Sequence, residues 1–269
     1  IKINPNNPTN FATPATTDET ANGLFSMEDD YGTSYYYRGT APNNYIKFGK
    51  NASGQDMWWR IIRFNGDGSI RIQYDGVSAA SSNTYTREFA LTNIKFNSGS
   101  LDAKYVGWMY GGKQGEPSTS KEEAQRNETD SEMKLAVERW YKENIVNTGY
   151  SKQIADKNFC NDRSGGGGYG NSFNTYFRAS YRLDTLKEPS LKCPDQNDSF
   201  TVEDIEKGNG ALTYPVGLIT ADENSIAGAV FNVGNTKYYL RNALGIYYTM
   251  TPYKYTTGIS GYGTMFSIN

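Results

Sequence analysis

The sequence predicts a loop-rich α+β domain behind an N-terminal arm. Three observations predict it: a well-marked β-hairpin, two amphipathic helices with readable starts, and many Gly, Asn and Asp clusters that read as turns. The chain has 269 residues, which permits one large domain or two small ones. We find no internal repeat and no second boundary. Residues 1–22 are therefore read as an extended arm or tether, and residues 23–269 as a single domain.

Composition removes several functions before any motif is considered. Lys plus Arg total 27 against 29 Asp plus Glu, a net charge of -2, without the basic excess of a nucleic-acid binder. Aromatic residues make up 14%, too many for a disordered chain. No run approaches the roughly 18 apolar residues of a membrane span. Histidine is absent, which removes Ser-His-Asp and Cys-His nucleophile systems, most zinc sites and the commonest general base. An enzyme would have to work with carboxylates, Lys, Tyr, Cys or a cofactor. The chain opens on Ile1 without a signal-peptide pattern and is read as a processed or trimmed fragment.

The arm, IKINPNNPTNFATPATTDETAN, is polar and proline-containing, as expected of a tether or a disordered leader. Its first residues alternate, so Ile1 and Ile3 would face one way if the segment added to a sheet edge.

The hairpin follows. Met57-Trp58-Trp59-Arg60-Ile61-Ile62-Arg63-Phe64 is aromatic and β-branched, and it meets Asn65-Gly66-Asp67-Gly68 before Ser69–Tyr74. Asn-Gly and Asp-Gly tolerate the positive φ that tight hairpins require. Alternation places Ile70, Ile72 and Tyr74 on one face and Arg71 and Gln73 on the other.

Two helices come next. Thr129-Asp130-Ser131-Glu132 fits a capping box with Thr129 as N-cap. Met133, Val137, Trp140, Tyr141 and Ile145 then form an apolar stripe. Thr220-Ala221-Asp222-Glu223 repeats the signature before Ile226 and Ala227. Gly165–Gly168 lacks a phosphate-loop pattern and is read as a flexible loop. Cys160 and Cys193 are compatible with one disulfide in an oxidising compartment or with two free thiols in a reducing one.

Candidate chemistry is sparse. Tyr253, Lys254 and Tyr255 follow Pro252 and are the candidate loop-display residues, offering rigid contact area and hydroxyls for a sugar or protein ligand. Tyr248 and Met250 read as half-buried strand. Asp195, Asn197 and Asp198 place oxygen ligands at near-alternate positions, suited to calcium or to bonding their own turn. Glu122, Glu123, Glu128, Asp130 and Glu132 cluster; a carboxylate pair serves glycoside hydrolysis, whereas a solvated helix start is their other reading. Asn51, Asn127 and Asn197 open glycosylation triplets.

Several strings together resemble a known family. They are Tyr35-Tyr36-Tyr37-Arg38-Gly39, Pro42–Phe48, Trp58–Gly68, Phe159-Cys160-Asn161-Asp162, Leu191-Lys192-Cys193-Pro194, Leu212–Glu223 and Tyr248–Tyr253. The resemblance, over roughly residues 23–268, is to uncharacterised surface proteins of gut Gram-positive bacteria. Their latter half looks C-type-lectin-like, a compact α+β fold with two helices and long display loops. The resemblance implies a Cys160–Cys193 bridge and no catalytic set. It departs at the sugar-binding Glu-Pro-Asn motif, which is absent: Glu116-Pro117-Ser118 and Glu188-Pro189-Ser190 stand here. The family's Gly-Val-Arg-Pro strand is also absent.

The expectation is a non-enzymatic extracellular protein of the bacterial cell surface. It would serve adhesion or ligand recognition through C-terminal loops, with a glycan or protein partner. The alternative is a structural subunit of a surface filament or pilus, in which the arm adds as a strand to another copy. The third is a carboxylate-based carbohydrate-active enzyme. No cofactor other than calcium is suggested, and neither a nucleic-acid partner nor a membrane span is expected.

Overall fold

Two antiparallel hairpins, β1 (Phe25–Asp29) with β2 (Gly32–Tyr36) and β4 (Asp56–Phe64) with β5 (Ile70–Gly76), are joined by the pairing of β2 with β4, and β3 (Tyr45–Lys50) adds beside β4 to complete one five-stranded sheet. The structure is a computed structural model. It describes residues 1–5, 10–79, 90–91, 94–171, 174–235, 237–241 and 245–257, and the backbone of 262–268.

The β4–β5 hairpin forms where the sequence places it. Asn65 donates to Ser69 O at 2.8 Å and Gly68 donates back to Asn65 O at 2.8 Å. Gly68 adopts φ +87° there, the left-handed region that glycine enters at little cost. The strand β4 pairs with β2 near one end, β3 near the other and β5 along its length. Met57, Trp59, Arg60, Ile61, Ile62 and Arg63 are all buried, so this strand is covered on both faces. A register shift between Ile61 and Arg63 is a bulge of the kind that re-aims side chains.

The remaining elements are short and loop-linked. They are β6 (Met109–Tyr110), α1 (Lys121–Ala124), β7 (Thr129–Asp130), α2 (Glu132–Tyr141), β8 (Phe159–Cys160), β9 (Thr175–Tyr176), α3 (Arg178–Tyr181), β10 (Ser199–Phe200), α4 (Ala221–Ala227), β11 (Tyr247–Thr256) and β12 (Tyr262–Ile268). Strands β12, β11 and β9 form a second antiparallel sheet. The mixed architecture agrees with the α+β expectation.

The helix starts agree with the sequence in one case and differ in the other. Thr220 caps α4 with a complete capping box, Glu223 N donating to Thr220 Oγ1 and Thr220 N donating to Glu223 Oε2. For α2 the N-cap is Ser131, whose hydroxyl accepts from Lys134 N at 3.0 Å. Thr129 and Asp130 are drawn into the β6–β7 pair, and Glu132 accepts from Ser98 N at 3.0 Å. The apolar stripe of α2 is as read: Met133, Val137, Tyr141 and, past the helix, Ile145 are buried.

The N-terminal segment lies along its own chain, which corrects the tether reading for residues 10–22. Phe11 packs with Phe25, Tyr36, Leu191 and Ile226. Ala15 is fully buried and donates to Gly228 O at 3.0 Å. Arg38 explains the docking: its buried guanidinium pairs with Glu19 at 2.8 Å and donates to Thr13 O and Ser225 O. Gly39 permits it, since a Cβ there would strike Thr17 O.

Cys160 and Cys193 form a disulfide with Cα atoms 5.6 Å apart, settling the pairing in favour of the bridge. Gly165–Gly168 is a loop.

Candidate functional site

A cluster of aromatic rings gathers where the β4–β5 hairpin meets α2. Trp59 on β4 stands opposite Tyr74 on β5 in register, with ring centroids 5.5 Å apart at 75°. Trp140 comes from α2 and meets Trp59 at 6.2 Å and Tyr74 at 5.0 Å. Edge-to-face contacts of this kind suit the ring quadrupole. The Trp59 indole is fixed by donating to Phe48 O at 2.7 Å.

These rings form one wall of an apolar pocket of about 490 Å³. Val216 and Leu218 from the 215–219 loop form a second wall, and Ile246 and Tyr248 are exposed at the edge. Loop 215–219 is positioned by Tyr214, which stacks on Tyr141 of α2 at 5.4 Å and 28°. Tyr141 and Gln73 also line the pocket, and among the described residues the Tyr141 hydroxyl and Gln73 Oε1 are buried without a hydrogen-bond partner. Burial pushes the Tyr141 phenol up to about 12, so it stays protonated and neutral.

One end of the pocket rests on a buried ion network. Arg71 Nε lies 3.1 Å from Glu223 Oε1, and Arg63 Nη2 lies 3.3 Å from the same oxygen. Arg63 also lies 3.6 Å from Asp29. The Arg71 guanidinium sits 3.9 Å from the Phe159 ring centroid and donates to Asn158 O. Burial pushes the Glu223 carboxyl up, but Arg71 and Arg63 outweigh it and hold Glu223 below the usual carboxylate range. A second network adjoins the first: Arg182 pairs with Asp222 and with Asp162, and Asp222 accepts from Ser190 N at 2.7 Å. Asp222 and Glu223 thus anchor guanidiniums, buried in Arg63 and Arg71 and partly buried in Arg182, besides opening a helix.

The residues singled out from the sequence lie elsewhere. Tyr253, Lys254 and Tyr255 are in β11 and not in a loop: Lys254 pairs with Tyr176 and Tyr255 with Thr175. Pro252 falls inside the strand at a register shift, where a missing N–H is tolerated. Tyr255 is 0% exposed, which corrects its reading as a display residue. Tyr253 packs on Phe231 at 5.2 Å. Among the described residues, the tyrosines this sheet and its neighbouring helix expose are Tyr176 at 60%, Tyr181 at 58% and Tyr248 at 43%; no local motif marks Tyr176 or Tyr181.

Asp195, Asn197 and Asp198 act within their own surroundings. Asp195 caps a 3₁₀ turn by accepting from Asn197 N. Asn197 donates to Gln125 O, and Asp198 is buried against Arg163, with Arg163 Nε at 2.6 Å. Among the described residues, no three acidic, His or Cys side chains are grouped to hold a metal ion. The acidic cluster is likewise engaged: Glu123 accepts from Thr119, Asp130 pairs with Lys134 and Glu128 with Arg126. Ile1 and Ile3 are exposed, at 70% and 52%. The backbone beside Ile3 is used within the chain: Asn4 N donates to Leu24 O and Leu24 N to Lys2 O, both at 2.8 Å. Among the described residues no helix is long and apolar enough to cross a membrane.

No protein-family model, no curated protein and no solved structure matches the chain.

Proposed function

We propose that this chain is a non-enzymatic recognition protein of an oxidising, extracellular setting, and that its ligand site is the aromatic pocket between the β4–β5 hairpin, α2 and the 215–219 loop. The observation that carries the reading is the pocket itself. Its volume of about 490 Å³ falls in the range of small-molecule sites, and such sites combine apolar walls with a few polar groups. The Cys160–Cys193 bridge supports the extracellular setting, because disulfides persist where the environment is oxidising. The α+β body with its two capped helices is compatible with the C-type-lectin-like likeness of the sequence, which we carry as part of this proposal. The ion pairs around Arg71 and Glu223 are scaffold in this reading: they fix the end of the pocket.

The test is retention. Purified, disulfide-intact protein is incubated with spent bacterial culture medium, desalted and analysed by native mass spectrometry, alongside a Leu218→Trp variant that fills the pocket. A bound small molecule on the wild type and none on the variant is expected. Equal retention by both, or none by either, overturns the assignment of the pocket.

A further inference from the structure

The charges around the pocket specify what it accepts. Resting on the reading above, we propose that its ligand is an uncharged, largely apolar small molecule, and neither a sugar nor an ion. Among the described residues, the formally charged side chains that line the pocket are Arg71 and Glu223. They face each other at 3.1 Å, and each has further partners. Arg71 donates to Asn158 O and lies over Phe159; Glu223 caps α4 and faces Arg63 as well.

A charged guest would therefore leave water without meeting a free counter-charge, and burial of an unpaired charge is costly. A polyol is disfavoured for a related reason. Each of its hydroxyls needs a partner when buried, and the walls are built of Trp59, Trp140, Ile94, Val216 and Leu218. The aromatic faces and aliphatic walls instead reward a flat or branched hydrocarbon body through area burial. The unpartnered Tyr141 hydroxyl and Gln73 Oε1 lie within the wall, where modest rearrangement would let them meet one neutral polar group.

Two dyes with the same aryl body separate charge from shape. N-Phenyl-1-naphthylamine is neutral, and 8-anilino-1-naphthalenesulfonate adds one sulfonate. Both are titrated by fluorescence into the disulfide-intact chain, with Leu218→Trp and Trp140→Ala variants whose folding is checked by near-UV circular dichroism. The neutral dye is expected to bind at least about tenfold more tightly than the sulfonate. Its affinity is expected to fall at least about tenfold in Trp140→Ala and to vanish in Leu218→Trp. Equal or tighter binding of the sulfonate, still lost in Leu218→Trp, would overturn the neutral-ligand inference and leave the pocket standing. Neutral-dye binding that neither folded variant changes, or no binding at all, would overturn the pocket as well. Should Leu218→Trp fail to fold, Trp140→Ala alone decides.

Discussion

Glu223 opens α4 and lies 3.1 Å from Arg71 and 3.3 Å from Arg63. A glutamate three residues after a threonine reads as a capping residue, and it is one. Its buried carboxylate also neutralises Arg63 and Arg71, the second of which alternation places on a polar strand face. Alternation reports which residues share a face; it does not report that both faces of β4 are covered. Glu223→Gln keeps the shape and removes the charge, leaving two buried guanidiniums short of a partner. We expect it to cost about 3–5 kcal/mol in chemical denaturation; a loss below about 1 kcal/mol would contradict the network. Asp67 in the hairpin turn makes a prediction of opposite accessibility. Partial burial pushes its carboxyl up, but hydrogen bonds from Lys157 and Ser69 outweigh it and bring it down to about 2. A carboxyl lowered by folding stabilises the native state above its unfolded value, near ~3.9. That stabilisation is lost as pH falls through about 2. The stability advantage of wild type over Asp67→Asn should therefore shrink between roughly pH 5 and pH 2, measured by paired thermal melts. An advantage that stays constant over that window would refute the assignment.

At the scale of elements, local signals were legible where the element is local. The Asn-Gly-Asp-Gly turn and the Thr220 box are complete within a few residues, and both form as read. The capping pattern places the start of α2 two residues early because Thr129 and Asp130 pair with Met109 and Tyr110, a partner roughly twenty residues upstream that no capping pattern reveals. Ser131→Ala should then destabilise by about 1 kcal/mol, whereas Thr129→Ala should not remove a cap. Matched denaturation curves decide between them, and the reverse order would return the cap to Thr129. The Tyr253–Tyr255 stretch failed as a display loop for a similar reason. A proline after an aromatic run reads as a strand end, but at a register shift in β11 it interrupts little, and β9 and β12 flank the strand on both sides.

The whole molecule is where sequence reading had least to offer. The pocket brings Trp59 and Tyr74 of one hairpin together with Trp140 and Leu218, which are far from it in the chain, and no spacing within one segment announces such a meeting. The disulfide lies between these scales. Two cysteines allow one internal pair, and their closeness follows from β8 lying beside the segment after α3. Closing a loop of 33 positions should contribute roughly 3–4 kcal/mol through the unfolded chain. The double variant Cys160→Ser with Cys193→Ser should lose about that much in denaturation, and an unchanged midpoint would show the bridge to be dispensable. Cys160 lines the same narrow space as Arg71 and Glu223. The claim on which the rest depends is that this pocket receives a guest. A crystal of the disulfide-intact chain soaked with N-phenyl-1-naphthylamine tests it most directly. The account predicts the dye between Trp140, Leu218 and the Arg71–Glu223 pair, with the ion pair intact; a dye bound elsewhere, or a pocket closed by its own walls, would contradict it.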